Sequence, residues 1–600
     1  MMKLSFRITG SCIAVGLLLV GVLWEWYNDK NTYHFPKVTS SVNVETTDLS
    51  EKAIVADETL VIDRKSRGRT NFRGKRIWID ESFVSNLPLV VINTDGGERP
   101  PAHIIWDNVE KQYVPNENAE IYLDGKISIY NSTDGTNCLD DTPTMESAIR
   151  LRRRGNSSVH YDKPQYLIKL VDKEGKANRQ NLLQMGADNE WVLNVSFIDK
   201  SLLRNYLAYA TAREVMPYVQ DCRFCEVVWY DGQNYQYEGV YLLMEKIKVG
   251  KNRVDLPRFV ENGKNLPFLL RRDRWEPDRL LLNNYARREN LLEGVLRVEW
   301  PDEKKLSQQS IQRITNQIDE FEKALFAEDY EEFLRYRDMI DIDSFVDYLI
   351  LNEFFINYDA GFHSTYMYSS YDGKLTMGPV WDYDGSMDNY HKNSAKLDTS
   401  AFFKAPWFEQ ILRDPKFTER VMERYQELRK SILSDESIGT FLDEMTAYLG
   451  AAVDRDWARW GYFYKDGDYL TPEYPGQPNR NTKSHAEEVE KLKSILSEHG
   501  KWLDEHMDTL SMLEEEINLQ AVVIANVLGF GLMLIVIPNA VLFGIGEIVL
   551  VDGQGAGSGF INGGILQLGG GYRKRDGKSH HDSKAHCEKT FDRFHSNILS

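Results

Sequence analysis

NYDAGFHS, residues 357–364, and GPVWDYDG, residues 378–385, are the two stretches on which the reading of this 600-residue chain turns. The first places one Asp and the second two in a short loop beside Gly, and the strand-like segments TYMYSS (365–370) and KLTMGPVW (374–381) join them. One Asp of such a pair can orient an attacking hydroxyl while the other holds Mg²⁺ on phosphate oxygens. Asp capping ordinary turns would explain either loop alone; two in this arrangement point to Asp359 and Asp382.

Working outward, Ser344–Ile356 ahead of the first loop is apolar all round and reads as a buried helix. Ile311, Ile314, Ile318, Phe321 and Leu325 are spaced 3, 4, 3, 4, which predicts an amphipathic helix, and Val489, Leu492, Ile495 and Leu496 repeat the pattern. Earlier in the chain the texture is that of strands: Leu87–Thr94, Ala119–Leu123, Lys126–Asn131, Ile149–Leu151, Tyr166–Leu170, Cys225–Tyr230 and Gly239–Met244, with one helix over Ser201–Val215. Arg154-Gly155-Asn156-Ser157-Ser158 is a Gly turn with small hydroxyl residues, followed by Lys163 and by Lys169 on the next strand. Such a turn lets backbone N–H groups approach phosphate, and a Lys adds a point charge; a plain β-turn and a solvated Lys account for it equally well. Tyr237–Lys246 is a hydrophobic strand ending in the acidic Glu245, readable as an adenine-contacting hinge or as a simple core strand.

Composition narrows the partners. The formal charge of −19 disfavours nucleic acid, whereas a local Lys/Arg cluster with Mg²⁺ could still hold a nucleotide. Five cysteines are too few and scattered for a disulfide framework; Cys222 and Cys225 read as buried thiols or a local disulfide before a zinc site. Residues 8–24 (ITGSCIAVGLLLVGVLW) and 521–543 (AVVIANVLGFGLMLIVIPNAVLF) are long enough to span a bilayer, with Lys3 and Arg7 before the first. From Gly571 onward seven basic residues stand against four acidic ones. The expected topology is a cytoplasmic N-terminus (1–7), a membrane anchor (8–24), a stalk and extension (25–86), a β-rich region (87–300), a helical region (301–516), a second transmembrane helix (521–543), and a Gly-rich linker with a basic cytoplasmic tail (544–600). This predicts a protein of a bacterial plasma membrane with its main domain outside the cytoplasm.

RGNSS (154–158), KPQYLIKL (163–170), WVLNVSFIDKSLLRNYLAYATAREV (191–215), YEGVYLLMEKI (237–247), NYDAGFHSTYMY (357–368) and GPVWDYDG occur in an order that resembles the spore-coat protein H (CotH) kinase-like family, over about Leu87 to Tyr390. The resemblance implies an α+β, atypical protein-kinase-like fold of two lobes, a β-rich N-lobe and a helical C-lobe, here flanked by transmembrane helices. It implies binding of ATP and Mg²⁺ and phosphorylation of Ser or Thr on a surface or coat protein. Asp359 would be the catalytic Asp, Asp382 a metal ligand with Asp384 as the second choice, and Lys169 the phosphate-contacting Lys with Lys163 in reserve. Gly155, Ser157, Ser158 and Glu245 complete the nucleotide site. Arg204 and Asn205 are family-like without an assigned role. Five residues after the catalytic Asp, kinases place a metal-binding Asn; Ser364 stands here, a weaker ligand. The alternative is a protein of the same fold acting as a binding or adhesion module.

Overall fold

The computed structural model describes residues 76–507, apart from 108, 110–111, 118–119, 156, 275–278, 390–394, 403–404 and 467–481, and four short strands, Leu60–Ile62, Phe72–Gly74, Met533–Ile537 and Ala540–Gly544. Residues up to Met512 form one compact unit and those from Leu513 a second.

The first unit is built on eight strands: β1 (Ile77–Ile79), β2 (Leu89–Thr94), β3 (Leu123–Tyr130), β4 (Met145–Arg154), β5 (Gln165–Val171), β6 (Glu190–Asn194), β7 (Cys222–Tyr230) and β8 (Tyr235–Glu245). Their order is β6-β5-β4-β3-β2-β7-β8-β1, and β6 also pairs with β8, from Trp191↔Glu245 to Asn194↔Leu242. That extra pairing closes seven strands into a barrel, with β1 attached outside the ring. An odd ring cannot alternate strand direction all the way round; β2 and β7 are the parallel pair. So small a barrel has room only for side chains. Every ring strand sends alternate residues inward, among them Val90, Ile127, Ile149, Ile168, Leu193, Val227 and Leu243.

The interior is completed from far along the chain. Trp460 and Phe463 of a helix over Ala451–Asp466 join the same cluster, Phe463 stacking on Phe197 with ring centres 4.2 Å apart. A second sheet, Val295–Trp300, Phe268–Asp273, Thr365–Ser369 and Leu375–Met377 in that order, is antiparallel throughout.

The main helices are α1 (Arg204–Arg213), α2 (Gln308–Leu325), α3 (Ile342–Phe354), α4 (Pro415–Arg429), α5 (Asp435–Leu449), α6 (Ala451–Asp466) and α7 (His485–His506). In α2 the 3, 4 spacing buries Ile314, Ile318, Phe321 and Leu325, and Ser307 caps the start by accepting from the Ser310 N–H. Asp341 caps α3 in the same way, and every α3 residue from Ser344 to Phe354 is buried.

Two expectations are corrected. The chain is not a two-lobed kinase-like fold flanked by transmembrane helices. β6 closes the strands into a barrel, α6 from the helical half adds Trp460 and Phe463 to that barrel's core, and the second sheet includes strands from both halves, so the β-rich and helical halves do not separate. Among the described residues no helix is long and apolar enough to cross a membrane, which counts against the expected membrane localisation. Within the second apolar run, Met533–Ile537 and Ala540–Gly544 pair as an antiparallel hairpin. Its β-branched residues favour strands, and the intervening Pro538-Asn539 has turn chemistry. The first run, 8–24, lies outside the described residues.

Candidate active site

The two acidic loops share one buried support. Asn352, near the end of α3, accepts from the Asn357 amide at 3.1 Å and from the Tyr383 hydroxyl at 2.8 Å, tying both loops to a single oxygen. In the first loop the Asp359 carbonyl accepts the N–H groups of Phe362 (3.2 Å) and His363 (2.8 Å), and the Gly361 N–H donates to Thr365 Oγ1 at 2.7 Å. Ser364 follows with φ +52°, and its hydroxyl donates to Asp382 Oδ2 at 3.2 Å. Asp382 is itself left-handed, φ +69°.

Helix α1 fixes the second loop. The Asp382 N–H donates to the Tyr209 hydroxyl (3.3 Å), and the Tyr383 N–H donates to Asn205 Oδ1 (2.8 Å). Arg204 reaches past both to donate to the carbonyls of Ser386 and Met387, each at 3.2 Å. Arg204 and Asn205, which the sequence marked without a role, therefore position the loop that carries Asp382 and Asp384.

The carboxylates crowd one another. Burial, and then the neighbouring Asp359, push the Asp382 carboxyl above its ordinary value. Asp384 is pushed well above it, by burial first and then by Asp382, to which it is hydrogen-bonded. Their mutual hydrogen bond favours the protonated form at Asp384 and the charged form at Asp382. Asp273 adds to the negative field at Asp382. Arg154 stacks over Trp381, 4.8 Å from the ring centre, close enough to act on Asp382. His363 is held below the usual imidazole range, by burial first and then by Arg274.

The remaining expected residues divide. Gly155 has φ +105°, and a Cβ there would lie 2.0 Å from Ser158 Oγ, so only Gly closes this turn. Ser158 accepts from Gln165 (3.4 Å), Gln165 accepts from Asn194 (3.1 Å), and Asn194 accepts from Asn205 (3.2 Å), the residue that holds Tyr383. The Gly turn and the second acidic loop are thus joined by one polar relay. Ser157 begins a short 3-10 helix, Ser157–His160. Lys163 is fully buried in an ion pair with Asp456 at 2.6 Å, over the Tyr241 ring. Lys169 lies outside the barrel beside Glu190 (4.0 Å) and Tyr122. It pairs with Arg150, four positions from the Arg154↔Gln165 pair at the Gly turn, roughly 13 Å along the strand. Glu245 is buried against Arg253, accepts from Tyr218 (2.9 Å) and the Asp221 N–H (3.0 Å), and is pushed up to about 6 by burial. It supports the segment whose Gln220 donates to the Val380 carbonyl, two residues before Asp382. Cys222 and Cys225 are buried free thiols; three apart on a strand, they face opposite ways.

Two further residues join the site: Arg154, which opens the RGNSS motif but has no role by sequence, and Asp273, which stands in no motif. Among the described residues no three His, Cys, Asp or Glu side chains gather as a metal cage. Mg²⁺ commonly takes only one or two carboxylates, with water and phosphate completing its shell. The all-oxygen, mutually crowded pair Asp382 and Asp384 fits that ion.

A family model described as CotH kinase protein matches residues 151–503, more than half of the chain and the segment holding both acidic loops. No curated protein matches it.

Proposed function

Because the chain belongs to the CotH kinase protein family, we propose that Asp359, Asp382 and Asp384 form a phosphotransfer centre that moves the γ-phosphate of ATP to a Ser or Thr hydroxyl of a coat or surface protein. The observation that carries this reading is the convergence of both acidic loops on Asn352, which leaves Asp359 acting on a carboxyl pair with raised proton affinity. Asp359 accepts the proton of the attacking hydroxyl as its oxygen bonds to the γ-phosphorus. The bond from that phosphorus to the bridging oxygen breaks, and ADP leaves. Asp382 and Asp384 would hold Mg²⁺, which when bound neutralises phosphate charge. Arg154 takes the phosphate-facing place that Lys169 cannot reach from the far end of its strand. Gly155 and the hydroxyl of Ser158 shape the turn over the phosphates.

A second reading, a nucleotide-binding or adhesion module without transfer, draws support from the placement of Lys163 and Lys169 away from the acidic pair. Transfer of labelled γ-phosphate by the full chain, with Mg²⁺ and a Ser/Thr-rich acceptor protein, separates the two. Asp359→Asn should leave ATP binding near normal while transfer falls roughly 10²–10⁴-fold. A wild-type protein that binds ATP but transfers no more than Asp359→Asn would make the binding module the correct reading.

A further inference from the structure

One end of the barrel opens into a cavity of about 400 Å³ that the acidic loops do not line. Its wall includes Trp78, Arg99, Arg153, Trp229, Glu238 and Arg459. The volume falls within the range of small-molecule sites, and barrel mouths are a recurrent place for them. Its cations are unevenly satisfied. Arg99 is spoken for: it pairs with Glu238, donates to the Gly97 carbonyl at 3.0 Å and stacks on Trp229 at 4.2 Å. Arg459 is not. Only 3% exposed, it lies over the Trp460 ring at 3.9 Å, with its nearest carboxylate, Glu238, 4.0 Å from Nη2. Its Nε and Nη1 have no hydrogen-bond partner. Arg153 donates to the carbonyls of Pro100 (2.8 Å) and Val159 (3.5 Å) and has no carboxylate partner among the described residues.

Buried guanidinium N–H groups without acceptors are costly, so their persistence at the wall of a cavity calls for an acceptor that enters it. We propose that the barrel mouth binds a small organic anion, carboxylate or phosphate, whose charged group is held by Arg459 and Arg153 while its remaining surface lies against Trp78. The site is separate from the acidic pair: Arg153 and Arg154 are consecutive on β4, and the first faces the cavity while the second lies on Trp381.

The test is thermal denaturation of the full chain against inorganic phosphate and, separately, citrate, with sodium chloride at matched ionic strength as control. A saturable rise in Tm with either probe, exceeding that with chloride, is expected. It should persist in Asp382→Asn and require at least tenfold more probe in Arg153→Gln and in Arg459→Gln. Arg153 is half-buried, so its variant should fold even if that of buried Arg459 does not. An equal rise with chloride, an unchanged titration in Arg153→Gln, or loss of the response in Arg154→Gln with retention in Arg153→Gln would overturn the proposal.

Discussion

Arg204 Nη2 meets Glu488 Oε1 at 2.8 Å with neither side chain exposed, although 284 residues separate them. The same guanidinium pairs with Asp199 at 2.6 Å and donates to the carbonyls just beyond Asp384. One arginine therefore fastens α7, the start of α1 and the second acidic loop together. Burial alone would raise the Glu488 carboxyl, but Arg204, Lys200 and Lys491 outweigh it and hold it at about 2. Its folded value lies below the unfolded one of about 4.3, so its contribution is present above that pH and lost as pH falls toward 2. Glu488→Gln should cost about 3 kcal/mol at pH 7. The gap from wild type in urea denaturation should narrow at pH 3; an equal gap at both pH values would show that charge is not its origin.

The carboxyl pair has the opposite sign. Its values are raised, so the folded chain binds protons more tightly than the unfolded one, and stability falls as pH climbs above about 4. A divalent cation can take the place of the proton. Mg²⁺ should therefore raise Tm more at pH 8 than at pH 5.5, and Asp382→Asn should abolish the difference. Ser364→Asn should strengthen it, since Asn is a better ligand type and tolerates the left-handed backbone found there. A Mg²⁺ response independent of pH and of Asp382 would place the ion elsewhere.

Gly155→Ala imposes both a left-handed Ala and a collision with Ser158 Oγ. A loss of roughly 1–3 kcal/mol is expected. Adding Ser158→Ala should recover the collision part and leave the backbone part, so the double variant should melt between Gly155→Ala and wild type. A double variant no better than the single one would remove the collision from the explanation.

The two lysines should behave differently. Lys163→Met leaves Asp456 buried without its cation and should cost about 3–5 kcal/mol. Lys169→Ala, half exposed on the barrel wall, should stay within about 0.5 kcal/mol. If Arg154 is the phosphate-facing cation, Arg154→Gln should weaken the ATP·Mg²⁺-dependent rise in Tm about tenfold in ligand concentration, and Lys169→Ala much less. The reverse ranking would return the role to Lys169.

Local pattern carried much of this structure. Ile311 through Leu325 declare α2 by spacing alone, and the strand texture of Tyr166–Leu170 falls within the strand Gln165–Val171. Ring closure was not legible, because the pairing of Leu193 with Leu243 depends on which two apolar strands meet, and apolar strands do not name their partners. Lys163 looked like a phosphate ligand because its counter-charge, Asp456, stands in a helix no local pattern connects to it. The two Asp loops were visible from their residue types. Asp273 and Arg154 join them only through sheet register and strand face, which a linear reading does not supply.

The plugged ring also governs when the chain can mature. During synthesis Lys163 emerges 293 residues before Asp456, which at about 5–20 residues per second is a delay of roughly 15–60 s. Until α6 arrives with Trp460 and Phe463, the inner faces of the strands lack their last layer. The segment 151–503 starts inside β4 and omits β2 and β3, two staves of the ring. A polypeptide cut at Leu151 would leave Ile149's neighbours and the inward side of β7 open to water, so closing the ring requires a start upstream of β2.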